Sequence, residues 1–291
     1  MPGEEWLYFK LYGGTKATDR ILTDHIRPLA DQLLASGLIQ SWFFIRYTDP
    51  GHHIRFRVNI PGDRLADVGR IMTLVRDRLQ PELDRKILHR VQLDTYEREL
   101  ERYGQENIVD SEWLFFYDSQ CTVRVIDLLY GESGETYRWL LALRGLDMLL
   151  DDLGLDLSGK KELMERLAAG FFTEFNGDKT MMGQLNDKYR KESRTIQRFL
   201  DPACDVENEI EEAILLFGER RVLFQPVVAR LFSRLDFSLL SSYVHMYLNR
   251  FFVAKPRLHE LTLYHLMAKH YTSAIARAKS AANRPALTPA G

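Results

Sequence analysis

The 291-residue chain has only two cysteines, Cys121 and Cys204, and they form no CxxC pattern. Their wide separation argues against a disulfide framework and a cysteine-based zinc site, and predicts buried thiols in a reducing compartment. The histidines form no HExxH pattern and no pair four residues apart, so no metal site is expected. Gly13 and Gly14 belong to neither a GxGxxG sequence nor a P-loop, so no nucleotide and no cofactor is expected.

The chain also lacks an excess of charge of one sign. It carries 39 Lys and Arg against 41 Asp and Glu, which gives no electrostatic support for general binding to nucleic acid or to anionic membranes. No window reaches the roughly 18 apolar residues of a membrane span, and the N-terminus does not look like a signal peptide. We therefore expect a globular protein in the cytoplasm, with no membrane span.

What the chain does contain is a stretch at 41–59, SWFFIRYTDPGHHIRFRVN, that places arginines in a predicted β-hairpin. Two runs of aromatic and branched residues flank the turn sequence TDPG. Since side chains alternate along a strand, Arg55 and Arg57 emerge from one face with their Cα atoms about 7 Å apart. Two adjacent guanidiniums suit an oxyanion. The alternative is that they line a solvated face and pair with acidic residues.

The first hundred residues predict the order β-α-β-β-α-β. Strands are expected at 6–12, in both arms of the hairpin and at 86–96. Helices are expected from 21 to a stop at Gly37, with a kink or restart at Pro28, and from 63 to Pro81. This is the order of a ferredoxin-like split βαβ unit, with both helices on one face of an antiparallel sheet. We therefore predict an α+β fold, with a sheet subdomain at 1–109 and a mostly helical subdomain at 110–291 packed on it.

Beyond residue 110 the apolar spacing is helical throughout. Helices are predicted at 111–130, 136–153, 158–175, 183–200, 206–217, 222–235, 238–252 and 256–282. A break is expected at Gly218 and Glu219. Since Arg55 and Arg57 point away from the first two helices, this helical part must cover their face or leave a cleft beside it.

Two further sequences hold candidate functional residues. The first is the run YERELERYG at 96–104, which is dense in charge. Such a run is also typical of a face that is exposed to solvent. The sequence YVHMYLNR at 243–250 places His245 and Asn249 four residues apart on one helical face. A lone helical histidine is commonly a hydrogen-bonded core residue, and it can also serve as an acid or base.

Three sequences, in the order in which they occur, resemble motifs of the C-terminal elimination domain of class I lantibiotic dehydratases. They are WFFIRYTDPGHHIRFR, TYERELERYG and HMYLNRFF. That module also occurs as a stand-alone chain in thiopeptide-type bacteriocin biosynthesis, and the resemblance runs from residue 6 to about 269. It implies a lyase that removes glutamate from O-glutamylated Ser or Thr of a ribosomally made precursor peptide, leaving dehydroalanine or dehydrobutyrine. Related stand-alone chains are pyridine synthases or peptide aminoacyl-tRNA ligases. A formal [4+2] pyridine synthase and a non-catalytic peptide-binding subunit therefore remain alternatives.

The resemblance also implies the site residues. The family's catalytic positions fall on Arg55, Arg57, Arg98 and His245. Residues in or beside the same motifs, Arg46, Tyr96, Asn249 and Arg250, are expected to bind substrate. One departure is Gln105, where many relatives carry a second glycine, so the shape of that loop is open.

These residue types suit glutamate elimination. Loss of the Cα proton builds negative charge on the peptide carbonyl, and the departing group carries a carboxylate, so fixed cationic donors are needed at both places. Arginine supplies such donors but cannot be the base, since its pKa exceeds about 12. Histidine titrates near neutral pH, which makes His245 the candidate base or acid.

The resemblance implies partners as well. Full-length dehydratases carry a larger N-terminal domain that glutamylates the peptide from glutamyl-tRNA, and this chain leaves no room for it before the strand at Trp6. We therefore expect a precursor peptide and a separate glutamylating subunit as partners, and no direct tRNA binding. A homodimer is left open.

Overall fold

Four strands form one antiparallel sheet in the computed structural model, which describes residues 5–129, 131–201, 208–231 and 235–282. They are β1 (Trp6–Gly13), β2 (Ser41–Tyr47), β3 (His53–Asn59) and β4 (Leu88–Asp94). The strand order across the sheet is β2-β3-β1-β4. The predicted order of strands and helices along the chain is confirmed, and the fold is a helix-rich α+β fold.

Two proline-containing helices lie between these strands. The first consists of α1 (Thr18–Arg20), a π-helical turn (Ile21–Ile26) and α2 (Arg27–Ala35). Pro28 stands in the first turn of α2, where its missing N–H costs little, so the helix restarts there as predicted. The second, α3 (Val68–Asp84), passes through Pro81, so the predicted end at this residue is wrong. The buried side chain of Glu82 belongs to this additional turn.

The helical part follows β4. It comprises α4 (Leu100–Tyr103), α5 (Ile108–Asp127), α6 (Gly131–Asp152), α7 (Leu157–Glu174), α8 (Lys179–Leu200), α9 (Asn208–Leu231), α10 (Phe237–Phe251) and α11 (Pro256–Ala282). The helix boundaries predicted at 130 and 206 lie outside the described residues, as does Cys204. In the part of the chain that is described, every helix is too short or too polar to cross a membrane.

The predicted break at Gly218 is wrong, because α9 runs through this residue without interruption. Phe217 and Arg220 on either side of it are almost fully buried. Arg220 donates hydrogen bonds to Asp118 and to the carbonyl oxygen of Gly145. This packing outweighs the roughly 1 kcal/mol that a glycine costs inside a helix.

Helices pack against both faces of the sheet. One face packs its alternate apolar residues against α2 and α3. On the other face, Phe43 and Ile45 of β2 join the core of the helical part. Arg57 and Arg55 are the cross-strand partners of Phe43 and Ile45, so they project from this second face. The helical part therefore covers the arginine face in part, as the strand alternation predicted.

The outer edge of β2 is bonded by side chains from α5 and α10. The N–H of Phe44 donates to Ser119 Oγ at 3.2 Å, and its carbonyl oxygen accepts from Arg250 Nε at 3.0 Å. The N–H of Arg46 donates to Asn249 Oδ1 at 2.8 Å, and its carbonyl oxygen accepts from Asn249 Nδ2 at 2.9 Å. These side chains take the place of a further strand, and they attach α10 to the sheet.

Cys121 of α5 is a free, buried thiol, in agreement with the prediction for the cysteines that can be described. Burial raises the pKa of this thiol to about 12. It is therefore protonated and inert at neutral pH.

A first prediction concerns Gly145 in α6. A Cβ added there would overlap the ring of Phe217 and the hydroxyl of Tyr247, where α6 meets α9 and α10. Gly145→Ala should lower the free energy of unfolding by about 1–3 kcal/mol, since overpacking exceeds the roughly 1 kcal/mol gained in helix propensity. Urea denaturation measures the change.

Gly218→Ala is the matched control, because no atom lies within 4 Å of a Cβ added inside α9. It should raise the free energy of unfolding by up to about 1 kcal/mol. A loss of stability would contradict an unbroken α9.

Candidate functional site

Arg57 is a buried arginine without a carboxylate partner among the described residues. It is 6% exposed. Its guanidinium carbon lies 4.4, 5.0 and 4.8 Å from the ring centroids of Tyr8, Phe43 and Tyr96. Its Nε forms no hydrogen bond within this part of the chain. Burial lowers the pKa of Arg57, but an arginine keeps its charge at neutral pH.

Four other buried arginines are paired with acids, while Arg144 donates to the carbonyl oxygen of Leu200. Arg46 and Arg138 share Asp19, and Arg220 and Arg250 share Asp118. A buried charge without a partner is unfavourable, and the faces of aromatic rings compensate for only part of the loss of water. The surroundings of Arg57 therefore suit an anion that comes from outside the chain.

Arg55 lies beside Arg57 on the same face of β3. Its guanidinium carbon is 3.4 Å from the centroid of the Tyr47 ring, and its Nε donates to His53 Nε2 at 3.3 Å. Burial lowers the pKa of His53, and the nearby charge of Arg55 lowers it further. A neutral His53 can accept this hydrogen bond, which helps to fix the direction of the Arg55 side chain.

Tyr8 is a site residue that the sequence analysis missed. It stands directly opposite Arg57 in the pairing of β1 with β3, and it is buried. Its hydroxyl has no hydrogen-bond partner among the described residues. Burial raises the pKa of Tyr8, although Arg57 and Arg55 oppose the shift. The hydroxyl is therefore protonated and able to donate to an oxygen next to Arg57.

Arg98 is held by an acid on α5. Its Nε and Nη2 donate to the two carboxylate oxygens of Glu112 at 2.8 and 2.9 Å. Burial raises the pKa of Glu112, while the hydrogen bonds from Arg98 and Tyr96 lower it. Since the ring of Tyr96 packs against Arg57, Tyr96 links this ion pair to the buried arginine. Glu112 was not predicted, because no spacing relates it to Arg98.

His245 lies on α10 and is oriented by a buried acid. Its Nδ1 is 2.9 Å from Glu260 Oε2, which also accepts a hydrogen bond from the Tyr264 hydroxyl at 3.0 Å. Glu260 is fully buried, whereas the His245 side chain is 32% exposed. In a neutral imidazole that donates from Nδ1 to an ionised Glu260, Nε2 carries the lone pair.

The catalytic candidates occupy elements around one face of the sheet. Arg55 and Arg57 project from this face, and Arg98 connects to it through Tyr96. His245 belongs to the helix whose core residues pack with Phe43 and Ile45 of β2. That these four side chains line one cleft stays a prediction.

The remaining substrate-binding candidates, Arg46, Asn249 and Arg250, lie in the joint between β2 and α10. All three are buried and bind protein atoms. Contact between these three and a substrate stays a prediction. Within the described ranges, no three His, Cys, Asp or Glu side chains are grouped so as to hold a metal ion.

The site is thus a cationic, aromatic-walled surface on the second face of a small sheet, in a helix-rich α+β domain. The family described as "Lantibiotic biosynthesis dehydratase C-term" matches residues 6–271. The chain therefore belongs to the C-terminal family of lantibiotic biosynthesis dehydratases, and the resemblance drawn from the three motifs is confirmed.

The chain spans less than a fifth of the length of the curated relatives that it matches. It is 30% identical to the nisin biosynthesis protein NisB of Lactococcus lactis subsp. lactis over 130 residues, which is 44% of this chain and 12% of NisB. The structure of MibB, a tRNA-dependent lantibiotic dehydratase from Microbispora sp. 107891, has a TM-score of 0.78 at 19% identity, covering 96% of this chain and 29% of MibB. TbtD, a pyridine synthase from thiomuracin biosynthesis, has a TM-score of 0.65 at 12% identity, covering 94% of this chain and all of TbtD. The two structural comparisons show a shared fold.

The ion pair between Arg98 and Glu112 makes a second prediction. Arg98→Gln should leave the buried Glu112 carboxylate without its cation and lower the free energy of unfolding by about 1–3 kcal/mol at pH 8. Removing the arginine raises the folded-state pKa of Glu112 further above its unfolded value. Stability is therefore lost as pH rises above the unfolded pKa, about 4.5, and the loss should vanish below it. Thermal unfolding between pH 4 and 8 measures this.

Glu112→Gln is the control, since it removes the carboxylate. In the double variant, the dependence on pH should disappear and most of the lost stability should return. If Arg98→Gln were equally destabilising at pH 4 and pH 8, the ion pair would not be its cause.

Proposed function

We propose that this protein eliminates glutamate from O-glutamylated Ser or Thr residues of a ribosomally made precursor peptide. A separate glutamylating subunit, dependent on glutamyl-tRNA, supplies the modified peptide. The sheet part, to which we assign a ferredoxin-like arrangement, and the helical part act together as one elimination domain. The observation that carries the proposal is the buried Arg57 without a carboxylate partner among the described residues, next to Arg55 on one strand.

The reaction creates anions at two places. A base removes the Cα proton of the modified residue, the electron pair forms a Cα=Cβ double bond, and the Cβ–O bond breaks. Charge builds on the neighbouring peptide carbonyl, and glutamate departs as a carboxylate with a second carboxylate in its side chain. Two fixed guanidiniums and the Tyr8 hydroxyl supply donors for these oxygens, and they need no reorganisation during the reaction.

His245 supplies the proton transfer in this proposal. With Nδ1 held by Glu260, Nε2 is the nitrogen that takes the Cα proton. The carboxylate then stabilises the imidazolium that forms, so the proton need not pass on to Glu260. Glu260 is in this sense a positioning residue.

The same fold in a pyridine synthase keeps a formal [4+2] cycloaddition as the alternative, and binding without chemistry is the third possibility. The deciding experiment incubates the protein separately with a glutamylated peptide and with a peptide carrying two dehydroalanines. Mass spectrometry should find the loss of glutamate in the first sample and no change in the second. A cyclised product from the second sample alone, or binding without a mass change in either, would refute elimination.

Arg55→Lys gives a third prediction. Lysine keeps the positive charge but loses the planar fork that holds a carboxylate through two parallel hydrogen bonds. We expect the rate of elimination to fall by about ten-fold or more, because one or two charge-assisted hydrogen bonds are lost. The melting temperature should not change. Single-turnover assays with glutamylated peptide measure the rate.

Arg90→Lys is the matched control, because Arg90 also stacks on a tyrosine of the same sheet face, with its guanidinium carbon 3.7 Å from the Tyr12 centroid. This variant should eliminate glutamate at the normal rate. If Arg55→Lys did the same, Arg55 would act only as a point charge.

A fourth prediction concerns His245. His245→Ala should still bind glutamylated peptide but eliminate glutamate about 10²- to 10⁴-fold more slowly, because the arginines remain while the proton transfer is lost. His245→Asn, which can keep a hydrogen bond to Glu260, should be equally slow. Affinity, melting temperature and single-turnover rate are measured for both variants. Near-normal turnover by a folded His245→Asn protein would show that His245 has only a structural role.

A further inference from the structure

The two edges of the sheet differ in their hydrogen bonding. On β2, the outward groups of Phe44 and Arg46 are all bonded to side chains of α5 and α10. The other edge is β4. Which of its backbone groups face outward follows from the alternation of bonded pairs along antiparallel strands.

The alternation is set by two backbone hydrogen bonds at the ends of β1. Gly13 N–H donates to the His52 carbonyl oxygen, and Ile60 N–H donates to that of Glu5. The odd-numbered residues of β1 are therefore bonded to β3, and the even-numbered ones to β4. The β4 partners of these even-numbered residues are Arg90, Gln92 and Asp94. The backbone groups of Val91 and Leu93 consequently point outward.

No hydrogen bond joins these outward groups of Val91 and Leu93 to another described residue. Within the same described ranges, β4 thus offers two donors and two acceptors at the spacing of a strand edge. An open edge of this kind is a template for a further strand.

A cavity of 390 Å³ adjoins this edge. It lies between β4 and α3, and apolar side chains dominate its wall: Phe9, Met72, Val75, Leu79, Leu83, Val91 and Leu93. Met72 and Leu93 are 41% and 36% exposed. A strand added along β4 would place every second side chain on this side of the sheet, over the cavity.

The charge near the edge is positive. Lys86 and Arg90 are exposed, and His89 stands between them. Of the nearby acids, Asp94 is paired with Lys10, Asp77 is paired with Arg76, and exposed Asp84 accepts a hydrogen bond from Gln80. The balance favours an acidic segment over a basic one.

We propose that an extended, acidic segment of the peptide substrate binds as a fifth strand along β4, with apolar side chains in this cavity. The choice of the substrate as occupant rests on the proposed function. The arginine-bearing β3 lies three strand spacings from the added strand, or about 14 Å. At about 3.3 Å per residue, at least four or so residues separate the bound segment from the residue that reacts.

The test uses a synthetic ten-residue peptide of alternating Glu and Leu, without a glutamyl ester. Calorimetry should detect binding, and hydrogen exchange should show new protection of the Val91 and Leu93 amides, while those of Arg90 and Gln92 are protected with and without peptide. N-methylation at alternate residues should weaken binding at least ten-fold in the register whose N–H groups face β4 and leave it unchanged in the other register. The Lys-for-Glu counterpart of the peptide should also bind at least ten-fold more weakly. Binding without protection of Val91 and Leu93 would overturn the proposal.

Variants of the protein give a second line of test. Met72→Glu should weaken peptide binding at least ten-fold, since it puts a charge into the cavity and repels an acidic segment. Lys191→Glu on the exposed side of α8 is the control for added negative charge and should bind normally. Equal affinity of wild type and a folded Met72→Glu protein would place the peptide elsewhere.

A second copy of the chain could also pair with β4. In that case, protection of Val91 and Leu93 would appear with rising protein concentration and no peptide, together with a dimer in sedimentation, and the proposal would be refuted. Because no arm of this test uses a glutamylated substrate, it does not depend on elimination. Peptide binding at β4 by a protein that fails to eliminate glutamate would withdraw the proposed function alone.

Discussion

The attachment of α10 to the edge of β2 is the constraint on which the candidate site depends. Asn249 uses its amide as a strand would use a peptide group, with one acceptor and one donor to the backbone of Arg46. Arg250 bonds the next outward carbonyl oxygen, that of Phe44, and is itself neutralised by Asp118. His245 lies one turn before Asn249 on the same helix. The hydrogen bonds between α10 and β2 therefore determine the position of the imidazole relative to β3, which carries Arg55 and Arg57.

Buried arginines of this protein are stabilised in different ways. Arg220 and Arg250, which join elements, have carboxylate partners and are fully buried. Arg57 has three aromatic rings instead. Ring faces attract the cation but accept no strong hydrogen bonds, so the N–H groups of its guanidinium are not committed to a carboxylate of the described chain. That arrangement keeps the charge available for a ligand, at some cost in stability.

The parts of the fold that follow from local pattern were predictable, and those that depend on tertiary register were not. Alternation along β3 placed Arg55 and Arg57 on one face, and the turn chemistry at Gly37 and Pro28 marked the helix boundaries correctly. At Gly218 the local signal failed, because buried neighbours outweigh the preference of one glycine. Tyr8 could not be assigned to the site because its place opposite Arg57 exists only once β1 and β3 are paired.

The acids of the candidate site were even harder to predict from the sequence. Glu112 and Glu260 lie 14 and 15 residues from the side chains that they hold. Glu112 is on α5 while Arg98 precedes α4, and Glu260 is on α11 while His245 is on α10. Both carboxylate oxygens of Glu112 accept hydrogen bonds from Arg98, and Glu112 also accepts a hydrogen bond from Tyr96. The ring of Tyr96 packs against Arg57. Arg98, Glu112 and Tyr96 thus form one chain of contacts that reaches Arg57. A loss of activity at Arg98 can arise through this chain of contacts even if Arg98 never touches the substrate.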